Sequence, residues 1–172
     1  LAGTFPPEIG TFSFLENFLV ERGGTAGSIP SQIGQLSRLK KFDVNYNLLT
    51  GPLPESIYDL SQLEELDLND NALTGTISTR IGQLEELRFF QLYRNRVEGS
   101  IPSEFGLLTG LEVANFDNNE FKGGMPEEVC QLRDGPDMSP DNMLTSLTAD
   151  CKDSSEEYYV ECEEPDCCST CF

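Results

Sequence analysis

The 172-residue sequence predicts an α/β-class solenoid of 24-residue repeats: parallel strands on a concave side, irregular or 3₁₀ segments on a convex side, and a disulfide-rich C-terminal cap. Three observations predict it. Glycine recurs at Gly3, Gly27, Gly51, Gly75, Gly99 and Gly123, a constant spacing of 24, with proline three residues later except where Ser78 interrupts the series. Leucine and asparagine columns keep that register, through Leu39, Leu63, Leu87 and Leu111, and through Asn47, Asn71, Asn95 and Asn119. All six cysteines fall at the C-terminal end, at or beyond Cys130.

Each element of the unit has a physical reason, clearest between Leu60 and Ile77. Leu66 and Leu68 alternate with polar neighbours, which predicts a short strand with two side chains turned inward. Asn71 follows at the turn, where a buried amide can satisfy main-chain groups that a tight loop leaves unpaired; the four asparagines are expected to form a structural ladder. Gly75 allows a conformation or a close approach denied to other residues, and the Ile-Pro step extends the chain along the next side. One unit cannot bury its leucines alone, but stacked units can, with strands about 4.8 Å apart in one curved sheet.

These residues resemble the leucine-rich repeat family. The pattern LTGxIPxxIGxL, seen in Leu49-Thr50-Gly51-Pro52-Leu53-Pro54 and Val97-Glu98-Gly99-Ser100-Ile101-Pro102, resembles its plant-type subclass. The resemblance covers residues 1 to about 132. It implies a binding module of the kind found in receptor-kinase ectodomains and secreted inhibitors of cell-wall-degrading enzymes, and it leaves the ligand open. Leu1-Ala2-Gly3 opens mid-unit, without the cysteine-bearing N-terminal cap usual in that family. An uncapped solenoid end exposes core leucines, so a fragment of a longer chain is expected. The first full unit is degenerate, with Gly23 in the asparagine column and Thr25 in the leucine column, and a looser unit is expected there.

The sequence divides into a repeat array over 1–132 and an acidic, cysteine-rich cap over 133–172. Leu144-Thr145-Ser146-Leu147-Thr148-Ala149 reads as one last strand, late against the register, after a loop at Arg133-Asp134-Gly135-Pro136-Asp137. Cys130, Cys151, Cys162, Cys167, Cys168 and Cys171 are disulfide candidates for a stapled cap over the last leucines. Six cysteines allow 15 pairings, and the sequence does not choose among them. The plant-type resemblance favours a disulfide cap, and the spacing from Ala149-Asp150-Cys151 to Cys171 resembles the tails of secreted or membrane-tethered algal leucine-rich-repeat proteins. Two other readings of Cys168-x-x-Cys171 rank behind: a redox dithiol, which lacks a βαβ setting, and a zinc knot, for which adjacent cysteines are awkward ligands. Disulfides imply an extracellular or cell-surface location, secreted or tethered through an upstream segment.

Composition excludes several function classes. Lys and Arg total 11 against 30 Asp and Glu, for a formal net charge of −19. That balance argues against nucleic acid and anionic membrane as partners and permits a cationic one. Histidine is absent, and with it His-dependent triads and most catalytic zinc sites. No P-loop or G-x-G-x-x-G appears, no stretch can span a bilayer, and no calcium-binding D-x-[DN]-x-[DN]-G loop is present. No catalytic residue, cofactor or metal site is assigned, and no direct membrane contact is expected from this segment.

Strand residues turned away from the core line the concave face. The fourth repeat stands out there, because Phe89, Gln91, Tyr93 and Arg94 put aromatics and arginine on a surface where a sheet without a partner favours small polar groups. Asp43, Asp67 and Asp117 are read as an acidic strip beside them, with Tyr46 completing the candidate ligand-binding set. Alternatively, Phe89 packs onto a neighbouring strand and Arg94 pairs with Asp70. Asp43 and Asp67 stand in one column, at about the 5 Å separation of a retaining glycosidase pair, but an open sheet offers no pocket to hold a sugar. The expected function is therefore non-catalytic recognition of a protein, peptide or glycan, within a receptor-like ectodomain or a secreted adhesion or inhibitor protein. The other reading is an acidic matrix protein that holds calcium or polyamines diffusely.

Overall fold

The computed structural model describes residues 3–134, 144–150, 159–161, 167 and 170–171. Among these residues the strands are, in chain order, β1 (Gly3–Thr4), β2 (Asn17–Leu19), β3 (Thr25–Gly27), β4 (Lys41–Asp43), β5 (Leu48–Gly51), β6 (Glu65–Asp67) and β7 (Ala72–Leu73). They continue with β8 (Phe89–Gln91), β9 (Glu98–Gly99), β10 (Val113–Asn115), β11 (Glu120–Gly124), β12 (Ser146–Ala149), β13 (Tyr159–Glu161) and β14 (Thr170–Cys171). A seven-stranded, all-parallel sheet runs in the order β14-β12-β10-β8-β6-β4-β2. Its register is the repeat itself: Asn17 faces Lys41, Lys41 faces Glu65, Glu65 faces Phe89, and Phe89 faces Val113.

Alternation decides which side of this sheet meets the core. Phe42, Leu66, Phe90, Ala114 and Leu147 point inward and are fully buried, as are Val44, Leu68, Leu92, Phe116 and Ala149 two residues on. Phe90, Phe105 and Phe116 pack together in the C-terminal repeats with ring centroids 5.0–5.6 Å apart. Two narrower parallel strips, β1-β3-β5-β7 and β9-β11-β13, run along another edge of the coil. They are not apparent in the sequence, because their two- to five-residue strands carry too few side chains to show a period.

The asparagine column works as a cross-repeat clamp. Asn95 Nδ2 donates to the carbonyls of Leu68, Leu92 and Tyr93, and its Oδ1 accepts the Leu73 N–H at 3.0 Å. Asn71 and Asn119 repeat the pattern. Asn47 Oδ1 accepts from both Gly23 and Thr25, so the degenerate first unit is tied down by the asparagine of the second. The glycine column from Gly27 to Gly123 holds φ between +78° and +94°, a region open to glycine at little cost.

Five 3₁₀ turns (Pro7–Thr11, Ser31–Gln35, Glu55–Asp59, Thr79–Gln83 and Ser103–Leu107) stack on the side opposite the large sheet. The extended residue before each is proline at φ between −67° and −75°, or Ser78 at −74°. Glycine inside the turn permits close stacking, since a Cβ on Gly34 would lie 2.5 Å from the Ser56 carbonyl oxygen. The third turn carries Tyr58 where its neighbours carry Gly34 and Gly82. Tyr58 is 2% exposed, and its hydroxyl accepts the Ser78 N–H at 3.2 Å, a donor that a proline would not have. The two departures from the pattern are therefore one interaction.

Helix α1 (Glu127–Asp134) follows the last 3₁₀ turn and packs on it, with Val129 and Leu132 buried in the core. It crosses residue 132, where the loss of rhythm suggested the cap begins. Cys130 on this helix is disulfide-bonded to Cys167, with Cα atoms 5.1 Å apart. The expectations for Cys151, Cys162 and Cys168, and for the side chain of Cys171, lie outside the described residues. β12 takes the position of the next repeat strand beside β10, and Asp150 at its end accepts the N–H groups of Asn118 and Asn119 at 2.7 and 2.9 Å.

Candidate ligand-binding face

The outward face of the large sheet is built from three columns of side chains and the turn that follows them. Along one margin, the residues preceding each strand alternate in sign: Glu16, Lys40, Glu64, Arg88, Glu112. Lys40 pairs with Glu64 at 3.2 Å, and Arg88 pairs with Glu112. Lys41 and Glu65 pair at 2.7 Å in the next column. Each exposed pair contributes about 0–1 kcal/mol, and together they neutralise this margin. The signal for this ladder was present as a 24-residue alternation of charge, visible only once the columns are read as lateral neighbours.

The centre of the face is acidic but not freely exposed. Asp43 and Asp67 are neighbours in register and are each 7% exposed. Each carboxylate accepts the N–H of the residue two positions on, Asn45 and Asn69, at 3.1 Å. Asp67 Oδ2 also accepts from Asn45 Nδ2 at 3.2 Å and Gln91 Nε2 at 3.4 Å. Burial pushes the Asp43 carboxyl up to about 6, with the Asp67 charge a lesser cause, and burial raises Asp67 as well. The single acidic strip expected from the sequence is not what forms. Asp117 belongs to the column of Asn45, Asn69 and Tyr93, is 8% exposed, and is bound by the hydroxyl of Thr148 and the amide of Asn118. Counting positions identifies the face but not its depth, which depends on the height of neighbouring side chains.

The aromatic and cationic residues gather at the turn beyond the strands. Arg22, Tyr46, Asp70, Arg94 and Asn118 all have φ between +49° and +56°, left-handed backbone that costs a non-glycine residue about 1–2 kcal/mol. Arg94 pairs with Asp70 at 3.3 Å and lies over the Tyr93 ring at 5.8 Å, while Arg22 lies over Tyr46 at 4.9 Å. Burial, and to a lesser degree the hydroxyl of Tyr46, push the Tyr93 phenol up to about 12. Phe89 and Tyr93 are half-buried, and Arg88 lies over the Phe89 ring at 5.7 Å. Tyr46 and Arg94 are exposed. The face thus brings together Tyr46, Asp67, Gln91, Tyr93 and Arg94, with Asp43 beside them and Phe89 at the paired margin.

Sequence reasoning did not single out Asn45 and Asn69, and it read Asp70 only as a partner for Arg94. Asn45 Oδ1, Asn69 Oδ1 and Asp70 Oδ2 are buried without a hydrogen-bond partner among the described residues. Only the three-dimensional count of donors shows this.

Residues 37–97 match the family model described as leucine rich repeat. No curated protein matches the sequence. Among solved structures, the plant peptide hormone receptor RGFR1 in complex with RGF2 is 27% identical with a TM-score of 0.76, over 77% of this chain and 21% of that one. The Arabidopsis receptor kinase HAESA, in complex with the peptide hormone IDA and the co-receptor SERK1, is 30% identical with a TM-score of 0.74, over 77% of this chain and 22% of that one. A plant ice-binding protein is 30% identical with a TM-score of 0.72, over 76% of this chain and 43% of that one. The chain spans about a fifth of the two receptors and under half of the third structure. One fold therefore serves different partners in these proteins, and the residues of the face must decide.

Proposed function

We propose, from the premise that this chain is a plant-type leucine-rich repeat protein, that it is a non-catalytic, extracellular recognition module. Its partner is a peptide or an extended protein segment laid across repeats two to four on the outward, concave face of the large sheet. The observation that carries this reading is Arg94 lying over Tyr93, with Tyr46 at the matching turn two repeats back, beside an acidic floor on a face where Tyr46 and Arg94 are exposed among the described residues. Tyrosine and arginine combine apolar area with directed hydrogen bonds and dominate interface energetics. The left-handed turns supply preorganisation: they hold these side chains in place before a partner arrives, so less entropy is lost on binding. Two of the structures similar to this chain hold peptide hormones, and the Cys130–Cys167 disulfide suits an oxidising, extracellular or cell-surface setting. Asp43 and Asp67, the one carboxylate pair on this face considered for catalysis, are engaged by main-chain and amide donors and act as floor.

The test is selection of displayed random heptapeptides on the immobilised chain, followed by affinity measurement of the enriched peptides. Tyr93→Ala combined with Phe89→Ala is expected to weaken them by at least tenfold. Enriched peptides that bind this double variant as well as the parent would move the site elsewhere.

A further inference from the structure

The floor of this face repeats one device on adjacent strands. In β4 the Asp43 carboxylate fixes the main-chain N–H of Asn45, and Asn45 Nδ2 is anchored on Asp67 Oδ2 at 3.2 Å. In β6 the Asp67 carboxylate fixes the N–H of Asn69, and Asn69 Nδ2 is anchored on Gln91 Oε1 at 3.4 Å. Both amides are thereby oriented, and in both the oxygen is the end left over, buried and without a partner among the described residues. Asn69 is only 2% exposed, so its unpaired oxygen carries a desolvation cost that a donor would return. The groups that hold these amides in place, Asp43 and Asp67, are carboxylates.

We propose that Asn45 and Asn69, with the carboxylates of Asp43 and Asp67, form a subsite for one primary ammonium group, carried by a lysine side chain or a peptide N-terminus. The proposal rests on the recognition reading above and names the chemistry of one ligand group. An ammonium has three donors and no acceptor, which matches the two unpaired amide oxygens and the carboxylates beside them. Equivalent positions on neighbouring parallel strands lie about 4.8 Å apart, which is within the reach of one ammonium group bridging two acceptors. A divalent metal fits less well: among the described residues no three His, Cys, Asp or Glu side chains converge as metal ligands. A guanidinium needs a coplanar pair of acceptors, whereas these oxygens belong to separate strands.

The experiment follows the side-chain amide resonances of Asn45 and Asn69 in ¹⁵N-labelled full chain. The probes are Nα-acetyl-lysine methylamide, its Nε-acetylated counterpart, alanine methylamide and calcium chloride. Saturable shifts at both amides are expected with the lysine probe, the alanine probe or both, which identifies the source of the ammonium, and none with the neutral analogue. Asp43→Asn and Asp67→Asn are each expected to raise the apparent Kd at least fivefold; two variants are used so that misfolding of one leaves the test intact. Equal response to the neutral analogue, no response to either ammonium, or saturation by calcium at submillimolar concentration overturns the subsite. Enriched heptapeptides that require Phe89 and Tyr93, combined with silent amides, would refute the subsite while leaving the recognition reading standing. Peptides indifferent to Phe89 and Tyr93 would refute that reading instead.

Discussion

Substituting Ser78 by proline puts back the residue that the rest of its column carries, yet it should destabilise this protein. The backbone raises no objection: φ at Ser78 is −74°, well within the range of proline, and rigidity alone would add about 0.4–1 kcal/mol. The obstacle is Tyr58. Its hydroxyl accepts the Ser78 N–H at 3.2 Å from within a residue that is 2% exposed. Proline removes that donor, orphaning a buried phenol at a cost of about 1–3 kcal/mol, and places its ring carbon where the amide hydrogen was, a clash of about 1–3 kcal/mol more. The serine also caps the fourth 3₁₀ turn by accepting from Arg80, worth roughly 0.5 kcal/mol. The net loss is about 2–6 kcal/mol, and each kcal/mol lowers Tm by about 2–4 °C in a chain of this size. Tyr58→Phe alone should cost about 1–2 kcal/mol, because it leaves the Ser78 N–H unpaired. Equilibrium unfolding in guanidinium, followed by circular dichroism on both single variants and the double, gives the coupling. The double variant is expected to be at least about 1 kcal/mol more stable than the sum of the two losses, since the shared hydrogen bond can be lost only once. Additive losses within about 0.5 kcal/mol, or a Ser78→Pro variant more stable than the parent, would refute the pairing of Tyr58 with Ser78.

Two further outcomes follow from the face itself. Asp43 has its carboxyl raised from 3.8 to about 6, so the folded state holds that proton more tightly than the unfolded state between those values, and stability must fall as pH rises through this window. The linkage is at most about 3 kcal/mol, cut to about 1–2 by solvent on the open side of the sheet. The groups acting on Asp43 are Asn45, Asp67, Glu21 and Glu65; Asp43→Asn should therefore raise Tm at pH 7.5 and remove part of the gain seen on going to pH 5, and an unchanged pH profile would contradict the assignment. Arg94→Gly should leave Tm within about 3 °C of the parent, because relief of its left-handed backbone offsets the loss of an exposed ion pair that solvent screens. The same variant should weaken selected peptides at least fivefold, so a large loss of stability would mean that the arginine serves the fold.

Much of the face was legible in advance because its positions follow from the period. The register of Lys41, Glu65, Phe89 and Val113 across four strands is the 24-residue spacing made physical, and Arg94 pairs with Asp70 one repeat back as the columns imply. The burial of Asp43, Asp67 and Asp117 was not legible, because exposure at a position depends on what stands on either side of it. The same holds for the unpaired oxygens of Asn45 and Asn69, which only a complete account of nearby donors reveals. Helix α1 escaped notice because it is eight residues long and occurs once, so no column repeats it.

The sequence by itself determined the stack: the inward leucines and phenylalanines, the asparagine clamps and the glycine turns at φ near +80°. Each of these residues does the same local job in successive units, and repetition makes a local requirement visible. Tertiary structure alone decided that Tyr58 answers Ser78, that Cys130 joins Cys167 out of 15 possible pairings, and that two carboxylates sink into a floor lined with unpaired acceptors. Those features arise from pairs of residues that meet only after folding, and the free energy of a pair is written in neither residue alone.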